Sequence, residues 1–374
     1  MKKKYVILTL IIIILLVTTF TYFSTLKQNN IYKEESIKLT KITKGISMNL
    51  EQTAGAGDYK TVTQSGWPTD GYQLNTELSR CENGSTLSWD DTKKVVIVSG
   101  NMSDKCYVYF DINQQTLSEY VISQYTGTQG DNALYYHTST LANGAGDNSY
   151  RYAGANNSVN NYICLGSDEA TCPDANLFRI IGVFGDQVKV IRATSESSQE
   201  WDEGGSNTWS TSSLNTYLNG TYLTSLGDLS GKIAIATWKV GGNTAANIGK
   251  TTPSVAYTNE MVTQTENTTY DAKIGLMYVS DYGFAASPDA WTLVMDKYND
   301  TVATSNNWMY MGLVEWTISR NSAISNMAFL LKSEGQVGSD RVYVNGVARP
   351  VFNLLSSTTY VSGDGTKNSP IRIN

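Results

Sequence analysis

The chain has 374 residues, of which 17% are charged, and a formal net charge of −6. A typical soluble domain carries about 25% charged residues; here the polar surface is built instead from Ser, Thr, Asn, Gly and 24 Tyr. Residues 1–50 hold eight Lys and two Glu, leaving 20 basic and 32 acidic residues for the rest, and an acidic body lacks the basic footprint of a nucleic-acid-binding protein.

Lys2, Lys3 and Lys4 open the chain, and Tyr5 to Phe23 follow without a charge. About 20 apolar residues cross a bilayer as a helix, and lysines just before such a segment keep its start inside. The reading is a signal-anchor transmembrane helix over 1–23, with the lipid bilayer as its partner. The product is a single-pass cell-membrane protein with an extracellular body. A cleaved signal peptide is the rival; its apolar core runs about 7–15 residues and ends at an A-x-A-like site. Neither that site nor a lipobox Cys lies between Leu16 and Thr25. Both readings export the body.

Export bears on Cys81, Cys106, Cys164 and Cys172. An even number in an exported chain predicts two disulfide bonds, and Cys81–Cys106 with Cys164–Cys172 is the simplest of the three connectivities. No C-x-x-C spacing occurs and His137 is the one histidine, so the sequence offers no zinc-type ligand set. No metal and no cofactor are expected.

Residues 24–57 read as a stalk, with Lys and Glu among scattered Ile and Leu. Residues 58–112 read as a small β module, in which Lys94–Val98 and Tyr107–Phe110 are strand-like runs. A Cys81–Cys106 bridge would add roughly 3 kcal/mol on the chain-entropy model. Residues 113–144 read as a helix and linker: Thr116 and Glu119 have capping-box spacing, Leu117, Tyr120, Val121 and Tyr125 share a face, and Gly127 and Gly130 end it. The motif Asp147-Asn148-Ser149-Tyr150-Arg151-Tyr152 sits in the Gly/Asn-rich stretch that follows.

Further on, Leu177–Phe184 and Val188–Ile191 read as a hairpin around Gly185-Asp186-Gln187. Thr211–Leu226 has a helical pattern that Asn219-Gly220 can split. Lys232–Val240 and Lys273–Ser280 read as strands, and residues 241–270 as a polar loop. Asn307–Arg320 is apolar on both faces at period two, the pattern of a buried central strand. Glu315 interrupts it, and a carboxylate there needs a partner; Arg320 and Arg349 are the candidates for a structural ion pair.

Other chemistries read weakly. A Ser-His-Asp triad would have to use His137, and no G-x-S-x-G elbow is present. Asp281, Asp289, Glu315 and Asp340 qualify as glycosidase carboxylates by position only. Trp291, Trp308, Tyr310, Trp316 and Tyr343 suit core positions at strand spacing, with Tyr343 the best surface candidate. Gly363-Asp364-Gly365-Thr366 lacks the further ligands of a calcium loop and reads as a turn.

Phe178–Phe184, Trp209-Ser210, Leu214-Asn215, Glu315–Arg320, Arg349–Leu354 and Gly363–Thr366, in that order, carry a resemblance. Over roughly 145–374 the chain resembles C-type-lectin-like domains of the formylglycine-generating-enzyme subtype, as in surface proteins of gut Firmicutes. The resemblance implies an α+β fold with short irregular sheets and long loops. The family's enzymes use their own active-site cysteines, whereas this chain has no Cys after Cys172, so oxidase activity is not implied. The sugar-binding Glu-Pro-Asn and Gln-Pro-Asp triplets are absent as well. Some relatives diversify residues near the C-terminus, which here corresponds to Asn321–Val347. That segment supplies the expected ligand-binding residues Asn321, Asn326, Asp340, Arg341, Tyr343 and Asn345.

The expected function is a membrane-anchored extracellular binding or adhesion protein, not an enzyme, presenting a lectin-like domain to a protein or glycan ligand. A cell-surface carbohydrate-active hydrolase and a structural surface subunit are the alternatives.

Overall fold

A computed structural model of the chain describes residues 45–63, 68, 71–90, 92–101 and 103–374. The expected transmembrane helix over 1–23 and most of the stalk lie outside these residues. Among the described residues, no helix is long and apolar enough to cross a membrane. The chain divides into two compact units with the boundary at Gln114/Gln115. Both helix and sheet are present, together with two disulfides.

Among its described residues the first unit holds the strands β1 (Ile46–Glu51), β2 (Tyr59–Val62), β3 (Tyr72–Leu74), β4 (Arg80–Cys81), β5 (Thr86–Asp90), β6 (Val95–Ser99) and β7 (Cys106–Ile112). The main sheet runs β2-β1-β7-β3, with β4 also on β7, while β5 and β6 form a separate hairpin. Thus β1, inside the expected stalk, pairs in parallel with β7 from Ile46 against Cys106 onward. The stalk reading therefore ends before Ile46: Met48 and Leu50 pack with Val96, Val108 and Phe110 in a small core. Cys81 faces Cys106 across the β4–β7 ladder and bonds to it, with the Cα atoms 4.0 Å apart.

In the second unit, α1 (Leu117–Ser123) starts at Thr116, whose hydroxyl accepts from the Glu119 N–H while the Glu119 carboxylate accepts from the Thr116 N–H. It ends at Gln124, ahead of the expected glycine stops. Leu117 and Val121 lie in the core of this unit, so 113–144 is not a linker to a domain beginning at 145.

Strands β8 (Leu134–Tyr136), β9 (Tyr150–Tyr152), β10 (Tyr162–Cys164), β11 (Leu177–Phe184) and β12 (Gln187–Arg192) follow. Phe184 pairs with Gln187, so the hairpin loop is only Gly185-Asp186, and Gly185 takes φ +64° at the turn. Cys164 closes the loop after β10 by bonding to Cys172. Helical turns run through Ser213–Ser225, with a π-helical segment at Leu218–Tyr222 where Asn219-Gly220 predicts a break. The expected strand Lys232–Val240 is reduced to β13 (Ala236–Lys239), paired with β14 (Thr269–Ala272). Within the expected loop 241–270 lies the helix α2 (Pro253–Tyr257). Lys273–Ser280 gives only the short strand β15 (Ile274–Gly275) before the buried helix α3 (Val279–Ala285).

The expected central strand Asn307–Arg320 is half loop. Only Glu315–Arg320, β16, is extended, at the edge of a sheet with β17 (Met327–Leu331) and β18 (Val337–Arg341). Leu313 and Val314 are exposed. The central role belongs to β11 and β12, which pair through β12 with β19 (Val351–Asn353) and through β11 with β9 and β10. Leu177–Val183 is buried on both faces, as a sheet interior requires. Asn321–Val347 is likewise not all loop: Ala328–Leu331 is core.

Candidate functional site

Lys189 stands in the apolar run Val188–Ile191 of β12, and strand geometry buries it with its neighbours. A buried ammonium needs a counter-charge, and its Nζ lies 2.5 Å from Asp281 Oδ2. Asp281 is the third residue of α3; the same oxygen accepts from the Tyr278 N–H at 3.0 Å, closing the first turn. Its Oδ1 faces Arg151 Nη1 at 3.4 Å.

Arg151, on β9, donates from Nη2 to Asp147 Oδ2 at 2.6 Å and from Nε to Ser149 Oγ at 2.8 Å. Two cations and two carboxylates are thus interleaved with their charges balanced. Behind them Glu260 accepts from the Val279 and Ser280 N–H groups and from the Ser319 hydroxyl.

Aromatic faces enclose the charges. The Arg151 guanidinium lies 4.6 Å from the Phe184 ring and 5.2 Å from Tyr257. Lys189 Nζ lies 4.9 Å from Tyr278 and 5.8 Å from Trp238, within cation–π range. A cavity of about 150 Å³ opens between these rings and the ion pairs. In its wall, the buried amide oxygen of Asn353 has no hydrogen-bond partner among the described residues.

The electrostatics follow the geometry. Burial raises the Asp147 carboxyl, but Arg151 and the Ser149 hydrogen bonds outweigh it and bring the group down to about 2. Burial pulls Lys189 below the ordinary lysine range, with Asp281 opposing. Burial pushes Glu260 up against its three donors. His137, fully buried, accepts from the Ala145 N–H at Nδ1 and meets the edge of Phe284; desolvation, helped by Arg151, lowers it to about 3.

Of the candidate ion pair, Arg349 is the partner: its Nε and Nη2 reach the two Glu315 oxygens at 2.7 and 2.9 Å, with both side chains buried. Burial pushes Glu315 up while Arg349 opposes it. Arg320 pairs with Glu266 instead and donates to the Val240 and Gly241 carbonyls. Between Trp316 and Arg320 the β16–β17 ladder is irregular.

The expected ligand residues do not converge on one site. Asn321 is buried, and its carbonyl and amide oxygens accept from Asn207 Nδ2 and the Ala323 N–H. Asn326 is half-buried, while Asp340, Arg341, Tyr343 and Asn345 are exposed at the end of β18 and beyond. Arg341 lies over the Tyr343 ring at 5.9 Å. None of these residues lines the cavity beside Lys189. Among the other named residues, Trp291, Trp308 and Trp316 are core, Asp289 is exposed, and Asp364 forms a turn with Thr366. Among the described residues, no group of three His, Cys, Asp or Glu is placed to hold a metal.

Lys189 and Arg179 carried a readable signal. A charge inside an apolar strand run singled out Glu315, and the same argument applies to Lys189 within Val188–Ile191 and Arg179 within Leu177–Ile181. Comparison with protein-family models, with curated proteins and with solved structures finds no match to this chain.

Proposed function

We propose that this is an exported binding protein, anchored in a cell membrane by residues 1–23, whose Gln115–Asn374 unit is a lectin-like domain that holds a glycan. The lysines before an uncharged Tyr5–Phe23, the two disulfides and the acidic body support export and anchoring. The ordered resemblance from Phe178 to Thr366 supports the lectin-like reading.

The observation that carries the glycan assignment is the cavity that sets the Trp238, Tyr257 and Tyr278 rings beside a charge-balanced floor of Asp147, Arg151, Lys189 and Asp281. A sugar ring presents apolar C–H faces, which stack on aromatic rings, and hydroxyls, which pair with ions of either sign. Because the floor's charges cancel, it favours a neutral occupant. Pockets for drug-sized ligands run about 300–1,000 Å³, so about 150 Å³ limits the occupant to a single ring.

Holding is favoured over turnover. A glycosidase needs one protonated and one ionised carboxyl flanking the bond. Here both cavity carboxylates face the same guanidinium, and Asp147 stays ionised.

The test is a glycan array with the detergent-solubilised full chain, followed by titration calorimetry on the best neutral glycan. Tyr257→Ala and Lys189→Met are expected to weaken binding at least ten-fold while the fold, read by circular dichroism, is retained. Absence of glycan binding, or turnover of a chromogenic glycoside, overturns the proposal.

A further inference from the structure

Four cationic side chains are buried among the described residues: Arg151, Arg179, Lys189 and Arg349. Three of them face a carboxylate. Arg179 does not. It is 3% exposed, and its guanidinium is satisfied by neutral groups alone. Nε donates to Asn161 Oδ1 at 2.6 Å, Nη2 to the Val159 carbonyl at 3.0 Å, and Nη1 to the Trp308 carbonyl at 3.1 Å and to Asn156 Oδ1. The Tyr162 and Trp308 rings lie 4.3 and 4.6 Å from its central carbon.

An ion buried without a counter-charge costs several kcal/mol, and burial accordingly pulls this group down to about 10. Of the four acceptors, Asn161, the Val159 carbonyl and the Trp308 carbonyl belong to buried residues, whereas Asn156 is exposed. Asn156 stands at a groove of about 590 Å³ that Arg179, Tyr162, Trp308, Tyr310 and Asn307 also line. No acidic residue is among the described residues that line it. Arg349, which also reaches the groove, is neutralised by Glu315. Among the described residues the groove therefore carries one uncompensated positive charge, at an edge covered by a displaceable neutral amide.

We propose that this groove is a second binding site, and that it takes a carboxylate-bearing sugar, its carboxylate displacing the Asn156 amide on Arg179. The carboxylate supplies the missing counter-charge in the geometry guanidinium favours. The partly exposed Tyr162 and Tyr310 rings supply the surface for the sugar ring.

The site shares no lining residue with the cavity beside Lys189, so the two are separable. Titration calorimetry of the full-length Tyr257→Ala variant at low salt, which removes the Lys189 cavity's share, compares glucuronate with its neutral twin glucose. Glucuronate is expected to bind at least ten-fold more tightly, with affinity falling as salt rises. Asn156→Asp places an internal carboxylate on Arg179 Nη1. It is expected to weaken glucuronate at least ten-fold, to raise the thermal midpoint of the ligand-free protein, and to leave neutral-glycan binding at the Lys189 cavity unchanged. Tyr257→Ala should show the converse. Equal or absent binding of the two sugars, or glucuronate affinity unchanged in Asn156→Asp, overturns the proposal. Loss of neutral-glycan binding alone counts only against the first site.

Discussion

His137 shows how burial turns one residue into a pH-dependent liability. Its ring is fully buried against Phe284 and Trp291, and its one hydrogen bond uses Nδ1 as an acceptor, which requires the neutral form. In the unfolded chain the ring protonates near its ordinary value of about 6.5, but in the fold only near 3. Between those values the unfolded state binds the extra proton, so stability rises with pH there. This contribution is complete above about pH 6.5 and is lost as pH falls toward 3, at roughly 1.4 kcal/mol per unit for one proton. Urea titrations from pH 7 to 4 should show that slope, and His137→Gln should flatten it by about one proton; parallel profiles would contradict the assignment. The other ring nitrogen, Nε2, is unpartnered among the described residues.

Local patterns placed those elements whose signal lies within a few residues. The capping box at Thr116 and Glu119 places α1, and Gly185-Asp186 places the turn of the β11–β12 hairpin. Both depend on side chains within a few residues of the backbone they organise. The same reasoning failed for Asn307–Arg320. Its apolar residues are buried for different reasons: Trp308 donates to the Tyr152 carbonyl from a turn, and Trp316 donates to the Gln199 carbonyl from an edge strand. Period two within one segment does not distinguish these cases.

Close packing adds a constraint that spacing hides. Gly182 lies at the irregularity of β11 against β12, and a Cβ there would sit 2.1 Å from the Tyr150 carbonyl oxygen on β9. Backbone cannot yield as a flexible side chain does, so Gly182→Ala should cost at least about 1–3 kcal/mol, the usual range for overpacking. Because β9 carries Arg151, the variant should also weaken ligand binding at the Lys189 cavity. A chemical-denaturation midpoint within error of the parent would refute this.

At the scale of the molecule the two units are unequal. Among the described residues, the first unit's core cluster is Met48, Leu50, Val96, Val108 and Phe110, beside the Cys81–Cys106 staple. The second buries a continuous core running from Leu117 to Ile371. A small core depends on its cross-link, which is worth about 3 kcal/mol in the chain-entropy account. Limited proteolysis with reductant should therefore cut within residues 45–114 first and leave a fragment covering 115–374. First cleavage within 115–374, or a digestion pattern indifferent to reductant, would show that the first unit does not need its staple.

What the sequence by itself determined lies close along the chain. It named the helix start at Thr116, the hairpin of β11 and β12, two disulfides among four cysteines and the need of Glu315 for an arginine. Capping, turn geometry, short loop closure and the cost of a buried charge all act through neighbouring residues or through one residue's own chemistry. Tertiary structure alone decided that Arg349 and not Arg320 answers Glu315, and that Asp147, Arg151, Lys189 and Asp281 share one cavity. It alone decided, too, that Arg179 is buried without an acid. Those outcomes depend on which strands become neighbours in the sheet and on how far apart in sequence their residues are. A buried charge announces in the sequence that it needs a partner, but only packing chooses which one it meets.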